Sequence, residues 1–161
     1  MKMTKKYYIA YGSNLNISQM KTRCPDAKIV GKTKLEGWRL LFRGSKTGSY
    51  LTIEPKKGYS VPIAVWAVSE RDEKNLDRYE GYPSFYYKKS MKVAVKGIKS
   101  GKLRNLDAFV YIMHEDRPIG IPSGVYMRTC LEGYLDFDFD MEILMNAYNE
   151  SREEEKCQSR Q

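Results

Sequence analysis

The stretch YYIAYGSNL at residues 7–15 changes from strand-forming to turn-forming residues within a few positions. Its first part, Tyr7 to Ala10, is a short aromatic and β-branched run, which predicts a β-strand. The Gly12-Ser13-Asn14 sequence then predicts a sharp turn, because glycine and asparagine tolerate positive φ angles. Asn16 can cap a following helix, and Gln19 lies three positions later, where it can reach back. We therefore expect a strand, a glycine turn and a helix start in direct succession.

Such a junction leaves several backbone N–H groups without partners. If these groups point at one place, they attract an anion such as a carboxylate. The alternative is a plain strand-to-helix corner that binds nothing. The spacing alone favours that alternative, since short glycine turns are weak signals.

Length and composition predict one folded domain. The 161 residues are enough for a single core, and the chain is 42% apolar and 30% charged, as in globular proteins. No apolar run approaches the ~20 residues that a membrane span needs. The basic start MKMTKK leads directly into the first strand and does not resemble a signal peptide. We therefore expect a cytoplasmic protein without membrane contact.

Cysteine and histidine are poorly placed for metal or nucleophilic chemistry. Cys24, Cys130 and Cys157 are odd in number, far apart and form no CxxC pair, which argues against both a disulfide framework and a zinc site. The single histidine, His114, cannot build a His-rich metal site or supply the usual nucleophilic pair, and we expect it at a strand end. Any chemistry would then depend mainly on carboxylates, hydroxyls and backbone groups.

The formal net charge is +8, from 28 Lys and Arg against 20 Asp and Glu. This balance makes nucleic acid the first partner to consider. The basic residues are spread thinly, however, and the group from Lys96 to Arg104 flanks Ser100-Gly101, which is typical of a solvated hairpin tip. RNP-type strands, GxxG clamps and helix-turn-helix spacing are missing from the sequence. We therefore expect no nucleic-acid partner; the positive field either attracts small anionic substrates or is simply a solvated surface.

Strand patterns recur through the chain as apolar, β-branched and aromatic runs bounded by glycine, proline or polar turns. They span residues 27–35, 38–42, 50–53, 61–68, 86–95 and 103–113. The run at 61–68 is nearly all apolar, which predicts a central, buried strand. The Glu36-Gly37 pair predicts a tight connection between the first two runs, and the Lys56-Lys57-Gly58 sequence predicts a turn after the third.

Two helices have clear end signals. Ser69 with Asp72 three residues later is a capping-box pattern, and Gly81 is the expected residue just past the end of that helix. Ser123 can cap a second helix, which we expect to stop at Gly133.

A last helix is predicted by apolar residues at helical spacing around Leu144, and from Glu150 the chain becomes polar and is expected to fray. We therefore assign a domain to residues 1–150 and a polar tail to 151–161. The sum predicts an α+β fold: a small, mixed, mostly antiparallel β-barrel of about six strands with flanking helices. The sequence leaves open whether the protein is a monomer or a homodimer.

Glu80 is the carboxylate with the most unusual predicted position. It is the last residue before the helix-ending Gly81, where the partial negative charge of the helix C-terminus disfavours a carboxylate. Its aromatic neighbours would add desolvation; they are Tyr79, Tyr82, Phe85 and Tyr86. Both effects raise a carboxyl pKa, as a general acid or base near neutral pH requires. The alternative is a solvated glutamate tolerated at a helix end.

Four blocks of the sequence together resemble the gamma-glutamylcyclotransferase family. They are YGSNL at 11–15, the strand at 61–68, LDRYEGYP at 76–83 and FVYIM at 109–113. Their order and separation also resemble the family, over roughly Tyr7 to Glu132. The family fold is a small mixed barrel with flanking helices, which agrees with the pattern predicted above.

The resemblance implies an intramolecular acyl transfer. The substrate would be a γ-glutamyl amine or dipeptide, whose α-amine attacks its own γ-amide carbonyl to give 5-oxoproline and a free amine or amino acid, without metal or cofactor. It also implies that Glu80 is the catalytic acid–base residue. Substrate binding would involve the first turn and a later tyrosine: Tyr8, Ile9, Ala10, Tyr11, Gly12, Ser13, Asn14 and Tyr126. For Tyr126 the alternative is a tyrosine on the core face of a short helix.

Three hypotheses follow for the function. The first is the enzyme, whose leaving amine the sequence does not specify. The second is a non-catalytic module of the same fold that binds a small anion. The third is a nucleic-acid binder that uses the positive charge.

Overall fold

Five β-strands form a closed barrel in the computed structural model, which describes residues 5–45 and 47–159. They are β1 (Lys6–Ala10), β2 (Lys28–Ser45), β3 (Gly48–Val68), β4 (Tyr86–Gly97) and β5 (Leu103–Met113). In the barrel order β1-β3-β2-β4-β5, neighbouring strands are antiparallel except β1 and β5, which pair in parallel and close the barrel. The predicted mixed, mostly antiparallel barrel is confirmed.

Four α-helices lie outside the barrel in the described part of the chain. They are α1 (Ile17–Arg23), α2 (Glu70–Glu80), α3 (Gly124–Asp136) and α4 (Met141–Ser159), and a 3₁₀ turn at Ser13–Leu15 precedes α1. The predicted capping box of α2 is confirmed, because the Ser69 and Asp72 side chains each accept a hydrogen bond from the other residue's backbone N–H. Gly81 ends this helix with a φ of +65°, as predicted.

The second and third strands are longer than the sequence patterns predicted. The runs at 27–35 and 38–42 belong to one strand, β2, and those at 50–53 and 61–68 both belong to β3. The predicted breaks are irregularities in one long hairpin: the pairing shifts between Glu36 and Trp38, and Gly37 and Gly58 have φ angles of +81° and +87°. A glycine in this conformation bends a strand without ending it, so these two glycines mark a bulge.

The prediction that α3 stops at Gly133 is wrong, because the helix continues to Asp136. The glycine has a packing role instead. A Cβ atom at Gly133 would lie 2.8 Å from the backbone of Leu15 and Asn16. The missing side chain therefore lets the C-terminal part of α3 approach the 3₁₀ turn that follows β1, beside Leu15 and Asn16.

The C-terminal segment does not fray at Glu150, because α4 continues to Ser159. Ser151 is buried and its hydroxyl accepts a hydrogen bond from the Phe42 backbone N–H at 3.0 Å. Glu154 accepts hydrogen bonds from both terminal nitrogens of Arg39, at 2.8 and 3.2 Å. Polar residues of α4 thus bind β2 directly, which the sequence pattern could not indicate.

One hydrophobic core fills the barrel and extends under the helices. Its fully buried members include Ile9, Phe42, Ile63, Leu76 and Ile112. The strand at 61–68 is buried as predicted, apart from the partly exposed Ala67. In the described residues, no helix is long and apolar enough to cross a membrane.

Candidate active site

Residues 11–15, which we call the first turn, meet the end of α2 at one end of the barrel. After β1, the chain forms the 3₁₀ turn, and Asn16 then caps α1 by accepting a hydrogen bond from the Gln19 backbone N–H at 3.1 Å. The predicted cap is confirmed, but the Gln19 side chain turns away, towards Thr129 and Arg23. From the opposite side, the last turn of α2 brings Glu80 to the same place, where the Asn14 Nδ2 lies 3.2 Å from Glu80 Oε1.

Gly12 is needed for close approach and not for a positive φ. Its φ is −132°, and Asn14 also lies outside the left-handed region, so the predicted reason for the turn is wrong. A Cβ atom at Gly12 would lie 3.3 Å from the Leu51 side chain and 3.4 Å from the Tyr126 hydroxyl. Glycine therefore lets the first turn pack against β3 and α3.

The first turn carries free backbone donors. Among the described residues, the backbone N–H groups of Gly12, Ser13 and Asn14 have no hydrogen-bond acceptor, whereas those of Leu15 and Asn16 bond back to the turn. Three consecutive N–H groups without acceptors are what the predicted nest requires, and a nest suits a carboxylate or an oxyanion.

A cavity of about 440 Å³ lies between this turn and Glu80. Its size is within the range of small-molecule sites, roughly 300–1,000 Å³. Five of the predicted residues border it: Tyr8 on β1, and Tyr11, Gly12, Ser13 and Asn14 on the first turn. Ile9 and Ala10 do not border it, because both are fully buried in the barrel wall, where they support the turn from behind.

Glu80 borders the cavity and has a strongly perturbed pKa. The residue is half-buried, and the protein packed around its carboxyl group raises the pKa of Glu80 from 4.5 to about 7. The charge of Arg23 and the hydrogen bond from Asn14 lower the pKa and offset part of the effect. The predicted desolvation is thus the main cause. Oε2 has no partner among the described residues and is accessible from the cavity.

The Asn14 side chain is fully occupied by protein groups. Its Nδ2 donates to the Tyr8 hydroxyl at 2.8 Å and to Glu80 Oε1 at 3.2 Å, and its Oδ1 accepts from Arg23. Sequence reasoning missed Arg23, which lies at the end of α1. The signal that could have found it is the spacing of Gln19 and Arg23, four residues apart on one helix face, because the guanidinium also donates to Gln19 Oε1 at 3.1 Å.

Tyrosines surround the carboxylate. Burial raises the pKa of Tyr8, Tyr11, Tyr86 and Tyr126, and the nearby negative charge of Glu80 raises it further. These hydroxyls therefore stay protonated near neutral pH and can donate hydrogen bonds. Two of them are committed to backbone oxygens: Tyr11 donates to Tyr111 at 2.6 Å and Tyr86 to Leu51 at 2.8 Å.

Tyr126 borders the cavity from the first turn of α3. Ser123 caps this helix as predicted, by accepting from the Tyr126 backbone N–H at 3.1 Å. The Tyr126 hydroxyl accepts a hydrogen bond from the Leu51 backbone N–H at 3.1 Å. The hydroxyl proton can then point towards the cavity, and the same holds for Tyr8, whose oxygen accepts from Asn14.

Other residues singled out in the sequence lie at the edge of this site or outside it. Phe85 borders the cavity, as does Tyr79, whose hydroxyl lies 3.0 Å from Ser13 Oγ. Tyr82 does not border it. His114 follows β5 directly, as predicted, and its Nε2 bonds to the Pro83 carbonyl at 2.7 Å. No group of three or more His, Cys, Asp or Glu that could hold a metal occurs in residues 5–45 and 47–159.

Comparisons with solved structures give the same fold. An uncharacterized protein of Homo sapiens, loc79017, is 26% identical, with a TM-score of 0.74 over 89% of this chain and 86% of that one. A structure described as gamma-glutamyl cyclotransferase is 25% identical, with a TM-score of 0.73 over 89% and 86%. YkqA of Bacillus subtilis is 17% identical, with a TM-score of 0.70 over 92% of this chain and 55% of YkqA, which establishes the fold alone.

The curated proteins contain no significant match. The family model described as Gamma-glutamyl cyclotransferase, AIG2-like matches residues 8–128, which include the first turn, Glu80 and Tyr126. This match covers most of the chain and agrees with the barrel, its helices and the structural neighbours. The chain therefore belongs to the gamma-glutamyl cyclotransferase, AIG2-like family.

Proposed function

We propose that this protein converts the γ-glutamyl group of a γ-glutamyl amine or dipeptide to 5-oxoproline and releases the amine or amino acid. One observation carries the proposal. Glu80, with its pKa raised to about 7, borders the same cavity as the free backbone N–H groups of Gly12, Ser13 and Asn14. A proton acceptor matched to neutral pH and an oxyanion or carboxylate site are the two groups that this cyclisation needs.

The first step is proton removal and ring closure. The substrate α-amine is protonated at neutral pH, so it must lose a proton before it can attack. Glu80 takes this proton on Oε2, the oxygen left free by Asn14. The amine nitrogen then forms a bond to the γ-carbonyl carbon, and the carbonyl π electrons move to the oxygen, giving a five-membered tetrahedral intermediate.

The second step expels the leaving nitrogen. The oxyanion electrons re-form the carbonyl, the bond from the γ-carbon to the leaving nitrogen breaks, and protonated Glu80 gives its proton to that nitrogen. Glu80, ionised again, takes the extra proton of the ring nitrogen and passes it to the released amine, so the products are 5-oxoproline and the amine as its ammonium ion. Bonds are redistributed within the substrate, with no water consumed and no electron transferred, so the proposal requires no cofactor.

Hydrogen-bond donors around the cavity fix the substrate. The first-turn N–H groups hold either the glutamyl α-carboxylate or the developing oxyanion, and the hydroxyls of Tyr8 and Tyr126 supply two further donors. Tyr50 and Phe85 border the cavity beside Tyr126, and Tyr50 packs edge-on against both rings. Aromatic residues thus border part of the space in which the leaving group would lie.

The test is turnover of a panel of γ-glutamyl dipeptides and γ-glutamyl amines, followed by mass spectrometry of 5-oxoproline. We expect release from at least one member of the panel, and a loss of about 100-fold or more in kcat for Glu80→Gln, because general acid–base catalysis contributes roughly 10²–10⁴-fold. Glu70→Gln, at the exposed start of the same helix, is the matched control and should keep full activity.

Two outcomes would overturn the proposal. If Glu80→Gln released 5-oxoproline as fast as the parent protein, Glu80 would not be the acid–base residue. If every panel member were bound but recovered intact, the protein would be a small-anion binding module of the same fold.

A further inference from the structure

The orientation of the Asn14 amide is determined by Arg23. A guanidinium group only donates hydrogen bonds, so the Asn14 atom that faces Arg23 must be the carbonyl oxygen Oδ1. The amide nitrogen is then turned towards Tyr8 and Glu80, where both of its hydrogens are used. If Arg23 were absent, the amide could rotate and present an oxygen to the carboxylate.

Arg23 is itself held from three sides. Its Nη2 donates to Gln19 Oε1 at 3.1 Å, and its guanidinium carbon lies 3.4 Å above the centre of the Tyr79 ring. Its backbone carbonyl accepts from Asn75 Nδ2 of α2 at 3.0 Å. The guanidinium is thus fixed between α1 and α2. Arg23 forms none of the ion pairs found among the described residues, so its charge remains available to Glu80.

We infer that Arg23 is a positioning residue for the proposed reaction: through Asn14 it holds Glu80 Oε1, so that Oε2 alone faces the substrate. The expected effect of Arg23 on turnover rests on the proposed function. Its expected effect on the pKa of Glu80 does not. Arg23 has two separable effects. Its hydrogen bond orients Asn14, and its charge favours the ionised form of Glu80.

The charge of Arg23 favours the ionised form of Glu80, whereas the tyrosines around the cavity do not. Six tyrosines border the cavity with Glu80, and the charge of Glu80 raises the pKa of each: Tyr8 on β1, Tyr11 on the first turn, Tyr79 on α2, Tyr86 on β4, Tyr111 on β5 and Tyr126 on α3. Arg78 also borders the cavity, but the positive charge that lowers the pKa of Glu80 is that of Arg23. Removing Arg23 should therefore raise the pKa of Glu80 further above 7.

The test compares three variants. Arg23→Met removes both the hydrogen bonds and the charge, Arg23→Lys keeps the charge, and Lys21→Met removes an exposed charge from the same helix. In the pH profile of kcat/KM, we expect the acidic limb of Arg23→Met to move up by about one pH unit, because an opposite charge nearby shifts a carboxyl pKa by roughly 1–3 units. Its kcat should fall about tenfold, since misplaced catalytic groups are costly.

The other two variants distinguish the loss of the Arg23 charge from a general disturbance of the protein. Arg23→Lys should keep the acidic limb within a few tenths of a unit of the parent while losing part of kcat. Lys21→Met should change neither. If the limb stayed in place in Arg23→Met, or moved equally in Lys21→Met, the inference would be wrong.

A second measurement does not depend on activity. In protein labelled with ¹³C at the glutamate carboxyls, the Glu80 signal is assigned by its loss in Glu80→Gln, and its titration is followed by NMR. An upward displacement in Arg23→Met supports the inference even if no γ-glutamyl compound reacts, and no displacement refutes it. If Arg23→Met does not fold, Arg23→Gln, which keeps a donor without the charge, decides the same question.

Discussion

Glu80 and Glu54 are both partly enclosed by protein, yet their pKa values move in opposite directions. Burial raises the pKa of Glu80 to about 7, and the charge of Arg23 together with one hydrogen bond, from Asn14, offsets only part of this effect. Burial alone would also raise the pKa of Glu54, but hydrogen bonds from Arg39 and Arg43 lower it below 4.5. The ionised form of a buried carboxylate is therefore stabilised where arginines bind it directly, as at Glu54. Where a neutral amide lies between the carboxylate and the arginine, as at Glu80, the pKa stays raised.

The two regions also differ in their function. Around Glu54, Arg39 joins β2 and β3 to α4 through Glu54 at 2.6 Å and Glu154 at 2.8 Å, so the charges hold the C-terminal helix to the barrel. Around Glu80, the protein leaves one carboxylate oxygen and several backbone donors without partners among the described residues. Polar groups whose hydrogen bonds are all formed within the protein contribute to stability, whereas groups without partners remain available to a ligand.

The largest expected effect on stability is that of Arg39→Met. This change leaves Glu54 and Glu154 without their shared partner, and breaking a buried pair costs roughly 3–5 kcal/mol. Since the Glu54 and Glu154 side chains are 23% and 38% exposed, we expect a loss of about 3 kcal/mol in the free energy of unfolding. Urea denaturation measures it, with Arg152→Met on the exposed face of α4 as control.

If Arg39→Met and Arg152→Met lowered the free energy of unfolding equally, the ion-pair cluster of Arg39, Glu54 and Glu154 would not hold α4 to the barrel. If the proposed activity is found, Arg39→Met should also keep the pH profile of the parent protein, because the cluster does not border the cavity. A shifted profile would mean that the two regions are coupled.

The next effect is an increase in stability for Glu80→Gln at alkaline pH. Because the pKa of Glu80 is higher in the folded protein than the ordinary 4.5, the folded state binds the proton more tightly. The contribution of Glu80 to stability is therefore fully present below pH 4.5 and is lost as the pH rises to about 7. Glutamine does not ionise and so avoids this loss. The free energy of unfolding of Glu80→Gln should therefore exceed that of the parent by about 2 kcal/mol at pH 8.

Near pH 4.5 the advantage of Glu80→Gln should be small, and urea denaturation at both pH values measures the difference. Glu54→Gln gives the opposite sign. Its lowered pKa contributes stability that is present above pH 4.5 and lost as the pH falls through the folded pKa, so this variant should be less stable than the parent at pH 8. A constant difference across the pH range for Glu80→Gln would contradict a raised pKa.

The smallest expected effect on stability is that of Gly12→Ala, below about 1 kcal/mol, because the contacts at 3.3 and 3.4 Å need shifts of only a few tenths of an ångström. The same shifts displace the Tyr126 hydroxyl and the first-turn donors, so kcat/KM should fall about tenfold. Gly124→Ala is the control, since a Cβ there meets no atom within 4 Å. Unchanged kcat/KM in Gly12→Ala would argue that the first turn does not position the substrate.

Local chemistry made much of the fold predictable. Helix ends depend on residues three or four apart, so Ser69 with Asp72, Gly81, Asn16 and Ser123 could all be identified from sequence. Gly37 and Gly133 were misinterpreted as breaks, because a bulge within a long hairpin and a helix crossing depend on the partner segment.

The site was predictable to a similar extent. The position of Glu80 beside a helix-ending glycine and aromatic residues correctly predicted its raised pKa. The contact of Arg23 with Asn14 was not predictable, because it requires α1 to fold back over the turn that precedes it. Ile9 and Ala10 show a related point: they are fully buried and do not border the cavity, although Tyr8 and Tyr11 on either side of them do.

The parallel pairing of β1 with β5 joins segments that are distant in the chain. The Tyr11 hydroxyl donates to the Tyr111 carbonyl, 100 positions away, across this seam. Contacts so far apart in sequence carry a high loop-entropy cost. The cavity is complete only when the barrel is closed, so a partly folded chain, however helical, would not contain the candidate site.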